Sequence, residues 1–105
     1  MLNYMLVTIL EQNRIVVDLK GVNDETILLS FGFYKKGTTY TINFDNEKEQ
    51  IFLIEKLARA GVLFSYGPGW APSEVMGYLK DEGKINVPYK VIMWRSPKDY
   101  EIIDN

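Results

Sequence analysis

Residues 1–105 predict an α+β fold, and three observations lead to it. Apolar residues alternate at a period of two through much of the first 44 residues. A helical period replaces that pattern at residue 46, and strand-like segments return at residue 62 and again at residue 88. The chain lacks the repeated strand–helix–strand units of a doubly wound parallel sheet.

Residues 4–10 and 14–19 ("RIVVDL") are rich in β-branched and large apolar side chains, and "EQN" between them supplies a polar break, so the pair predicts a hairpin. "GVNDE" at 21–25 clusters turn-forming residues. "TILLSFGFY" at 26–34 and "TTYTINF" at 38–44 flank "KKG", with Leu29, Phe31 and Phe33 alternating in the first and Tyr40, Ile42 and Phe44 in the second. Four strands joined by short turns predict an antiparallel meander, its second face left wet at Thr39, Thr41 and Asn43.

Asn46 followed by Glu49 has the spacing of a capping box. Ile51, Ile54, Leu57 and Ala58 then recur at helical spacing, Glu55 and Arg59 lie four apart outside, and Gly61 stands where a left-handed residue ends a helix. "VLFSY" at 62–66 is a short strand. A second helix over 72–82 opens on Pro72, closes at Gly83 and has Val75, Met76 and Leu79 as its stripe. "PYKVIMW" and "DYEII", separated by "RSPK", are closing strands. The expectation is one domain: an N-terminal meander, two helices on one face, and C-terminal strands.

Composition narrows the function. There is no cysteine and no histidine, which removes disulfides, thiolate metal sites, imidazole bases and the usual nucleophile pairs. The reading therefore leans away from an enzyme, and no cofactor is expected. A net charge of −2 and an isoelectric point near 5.1 argue against phosphate-backbone binding. The N-terminal apolar run has no basic leader and ends at Glu11, too short to span a bilayer, so a cytoplasmic protein without membrane attachment is expected.

The segment "FSYGPGWAPSEV" at 64–75 is the most informative for function. Gly67 and Gly69 precede a helix start, the placement of a dinucleotide-binding turn. However, Pro68 deletes a backbone donor and Pro72 occupies the position of the third small residue. No P-loop pattern occurs. Trp70, in a loop stiffened by Pro68 and Pro72, suits partner contact, because a rigid indole costs little entropy to present. The competing structural role is a plug folded onto the sheet or helix.

The leading expectation is an adaptor, inhibitor or regulator that binds a protein partner, or a second copy of itself, through Tyr66, Pro68, Trp70, Pro72 and Arg95. The alternative is a small-molecule or anion site at the second helix start, with Ser73, Lys56 and Arg59. Tyr34, Lys35, Lys36 and Tyr40, and again Trp94, Arg95, Lys98 and Tyr100, interleave aromatic and basic residues as single-stranded nucleic-acid binders do. Strand alternation points Trp94 and Arg95 to opposite faces, and hairpin lysines are ordinary edge protection, so this reading ranks third. The carboxylate groups suit caps and solvated faces and lack EF-hand spacing.

Overall fold

The computed structural model describes residues 4–21 and 25–105. The elements run β1 (Tyr4–Leu10), β2 (Arg14–Lys20), α1 (Thr26–Ser30), β3 (Tyr34–Lys36), β4 (Thr39–Asn43), α2 (Glu47–Arg59), β5 (Leu63–Ser65), α3 (Pro72–Asp81), β6 (Lys90–Ser96) and β7 (Asp99–Asp104). The turn expected at 21–25 falls, at 22–24, outside the described residues.

One sheet holds all these strands in the order β3-β4-β2-β1-β5-β6-β7. The four N-terminal strands pair antiparallel, as expected, with β1 on β2, β2 on β4 and β4 on β3, but β3 stands at the sheet edge, so β4 and not β3 follows β2 as it would in a simple meander. β5 then joins β1 in parallel, β6 joins β5 in parallel, and β7 closes the sheet antiparallel. The result is a mixed α+β fold in which α3 is the crossover between the parallel neighbours β5 and β6.

Residues 26–34 correct the sequence reading. Residues 26–30 form a helical turn, only Tyr34 of the expected strand joins the sheet, and Lys35 and Lys36, expected in the turn, complete β3. Ile27, Leu28 and Phe31 fit a helical face as well as Leu29, Phe31 and Phe33 fit a strand. Gly32 decides between them. Its φ of +98° lies in the left-handed region, and the N–H groups of Gly32 and Phe33 donate to the carbonyls of Leu29 and Leu28. This paired closure ends a helix and needs glycine at its turning residue. Leu28 is thereby driven fully into the core.

α2 forms as its punctuation predicts. The Asn46 side chain accepts from the Glu49 N–H at 2.9 Å, while the Glu49 carboxylate accepts from the N–H of Asp45 at 2.9 Å, one residue before the usual capping-box partner. Leu53, Ile54 and Leu57 face inward. α1, α2 and α3 all cover one sheet face, where Val7, Ile15, Val17, Tyr40, Phe64 and Val91 meet Leu28, Ile54, Leu57, Met76 and Leu79 in one core. The opposite face holds a smaller cluster of Leu6, Leu63 and Ile92 with Tyr4 packed on it. The rings of Tyr4, Trp94 and Tyr100 extend that cluster across the face. Thr41, expected to be wet on this face, is buried in the middle of β4 between β3 and β2. No described helix is long and apolar enough to cross a membrane.

Two buried tyrosines set the alkaline limit of this core. The Tyr40 hydroxyl donates to the Glu25 carboxylate, and that bond raises the Tyr40 pKa, with burial and the carboxylate charge adding to it. Burial raises Tyr89 in the same direction, helped by the charge of Asp81. Lys20 and Lys84 are also raised, chiefly by hydrogen bonds to Asp18 and Glu47. A group whose folded pKa exceeds its unfolded value contributes stability that is complete below the unfolded pKa. That contribution is lost as pH rises through the folded pKa. Stability in urea titrations is therefore expected to fall above about pH 10, the ordinary tyrosine and lysine range. Tyr40→Phe should flatten part of that fall. A level profile through this range in the wild type contradicts the assignment.

Candidate functional site

The carboxyl ends of β1 and β5 lie side by side in parallel, and the chain leaves them in opposite directions. β1 turns back through residues 11–13 into β2, on one side of the pair. β5 passes through residues 66–71 into α3 and on to β6, on the other. A cleft of about 640 Å³ lies by the carboxyl end of β1, between the start of α2 and α3, with Glu11, Asp45, Glu47, Trp70 and Tyr78 among its lining residues and Leu10, Val75 and Leu79 supplying apolar surface. The Gln50 side chain fixes one wall by donating to the Glu11 carbonyl at 2.8 Å.

The loop that presents Trp70 is held by its own bonds. Tyr66 N–H donates to the Ile92 carbonyl at 3.1 Å, extending the β5–β6 ladder by one residue. Gly67 N–H donates to Ser73 Oγ at 3.2 Å, and that hydroxyl lies 3.4 Å from the Gly67 carbonyl as its donor. Ala71 N–H closes a turn on the Pro68 carbonyl at 3.4 Å, and Gly69 inside it takes a φ of +69°, which favours glycine. A Cβ on Gly67 would stand 3.1 Å from that of Ala71, so the loop closes tightly on itself. Pro72 is buried at the first turn of α3.

This frame turns the indole outward. Trp70 is 89% exposed, so it is not a plug. Tyr66 and Tyr78 are also exposed, at 55% and 53%. Tyr78 shares the cleft with Trp70 and was not singled out in the sequence, although its place beside the Val75–Leu79 stripe puts it at the edge of the helix's apolar face.

The other sequence candidates are dispersed. Arg95, near the end of β6, pairs with Glu101 of β7 and does not line the cleft. The Ser73 hydroxyl is engaged by Gly67. The Lys56 ammonium lies over the rings of Phe52 and Phe31, 4.4 and 5.3 Å from their centroids. Arg59 lines a second hollow of about 480 Å³ with Asn86, Lys90 and Asp104, at the amino ends of β5 and β6. Ser73, Lys56 and Arg59 therefore share no cavity. Tyr34, Lys35 and Lys36 form the edge strand β3, while Trp94 stands on β6 toward the opposite edge, so the two aromatic–basic groups do not form one surface.

The side chains that line the cleft carry negative charge only. Among its lining residues are three carboxylates and no lysine or arginine. Glu11 pairs with Arg14 at 2.7 Å and Glu47 with Lys84 at 3.0 Å, both as partly exposed pairs that contribute little and exchange readily. The Asp45 carboxylate has no ion pair among the described residues.

No family model, no curated protein and no solved structure matches the chain significantly.

Proposed function

We propose that this protein is a non-enzymatic interaction module, acting as an adaptor, inhibitor or regulator, that grips a protein partner through the loop at residues 66–71. The observation behind this reading is the 89% exposure of Trp70 on a loop whose backbone is hydrogen-bonded to itself and to α3. A large apolar ring held in water by a stiff frame gains free energy when a partner covers it and loses little entropy in the process. Tyr66 and Tyr78 enlarge the contact.

A photocrosslinking residue in place of Tyr66 leaves Trp70 intact and stands four residues before it on the same loop. In lysate from the native source, it is expected to capture a defined protein that the same residue at Phe52, exposed on α2, does not. Adding Trp70→Ala should abolish the crosslink. An identical set of crosslinks at both positions contradicts the reading.

A further inference from the structure

We infer that the cleft beside Trp70 receives a basic, extended segment of the partner, with an arginine or lysine side chain laid on the indole and directed to Asp45. This rests on the partner reading above and adds the chemistry of what is recognised.

The cleft lies next to the exposed ring, and two of its features point to a cation. First, Trp70 and Tyr78 offer aromatic faces, and tryptophan attracts guanidinium and ammonium groups more strongly than other rings do. Second, Glu11, Asp45 and Glu47 line the same space without a cationic lining residue, and of the three only Asp45 has no ion pair among the described residues. Lys84 already shows the local preference from outside the cleft: its ammonium bonds both oxygens of Glu47, at 3.0 and 3.3 Å, and lies 5.5 Å from the Tyr78 ring centroid. An incoming cation would repeat that arrangement at Trp70 and Asp45, whose carboxylate has no ion pair among the described residues. Gln12 and Asn13, at the mouth on the β1–β2 turn, provide amides to which the peptide backbone of an extended segment can bond. An acidic or phosphorylated segment would instead place like charges together, which opposes binding.

The test uses the full chain carrying Trp94→Phe, which leaves Trp70 as its one tryptophan, and a capped hexa-arginine peptide at low salt. Trp70 emission is expected to change saturably with the peptide and to be restored by salt, which screens exposed charges. Asp45→Asn should weaken the affinity by about twofold to fivefold, the range of one exposed charge pair. Trp70→Ala, followed by calorimetry, should weaken it by a similar factor of about two to five, from the lost cation–ring contact. Asp99→Asn on β7, outside the cleft, should leave it unchanged. Equal affinity in all four proteins, or an equal response to hexa-glutamate, overturns the inference. If hexa-arginine fails while the Tyr66 crosslink persists, the basic-segment assignment falls and the interaction module stands. If the crosslink itself is missing, the partner reading falls with it.

Discussion

Phe64→Ala is expected to destabilise the protein by about 3–5 kcal/mol, the usual cost of deleting a fully buried phenylalanine. Phe64 is the middle residue of β5, paired with Val7 on one side and Val91 on the other. Its ring has no solvent exposure and meets Tyr89 edge-on at 5.9 Å between centroids. It belongs to the same cluster as Met76 and Leu79 of α3, so the cavity left by alanine would lie where sheet and helix join. Collapse there would have to move α3 or bend a central strand, and neither relieves the loss cheaply. Domains of this size have a total stability of about 5–15 kcal/mol, so a large fraction of the molecules would be unfolded on mild heating. Urea titration measures the change. Phe64→Leu, which keeps most of the volume, should cost about 1–2 kcal/mol. A loss below about 1 kcal/mol for Phe64→Ala would show that the site is less tightly packed than described.

Trp70→Ala should behave in the opposite way. With 89% of the side chain in water, truncation removes almost no buried area. Stability should stay within about 0.5 kcal/mol of wild type, as for surface substitutions away from caps and cores. The turn that holds residue 70 relies on the Ala71–Pro68 and Ser73–Gly67 bonds, neither of which uses the indole. Binding is where the loss should appear: an aromatic anchor at the centre of an interface costs about 2 kcal/mol or more when truncated, roughly thirtyfold in affinity. The pair of substitutions thus separates folding from recognition. One removes structure from a residue no partner can touch, and the other removes recognition from a residue the core does not need.

What the sequence could reveal depended on how local each signal was. α2 was legible because Asn46, the stripe of Ile54 and Leu57, and Gly61 all lie within sixteen consecutive residues. The helix at residues 26–30 was hidden because its apolar residues satisfy two periods at once, and only the left-handed conformation of Gly32 decides between them. The parallel pairing of β1 with β5 joins Leu6 to Leu63, a long-range contact that no local pattern encodes. The same limit applied to the site. The stiffness of the Trp70 loop could be read from Pro68, Gly69 and Pro72, whereas the cleft is assembled from residues near 11, 45 and 78 that meet only after the sheet has formed. The carboxylates therefore read as caps and solvated faces, and Arg95 read as a neighbour of the loop although it stands on β6, paired with Glu101 of β7.

Affinity capture from native-source lysate, with wild type and Trp70→Ala as parallel baits, tests the central claim most directly. Circular dichroism first confirms that both baits are equally folded. The account predicts one defined protein retained by the wild type and lost from Trp70→Ala. The same captured proteins on both baits would contradict it.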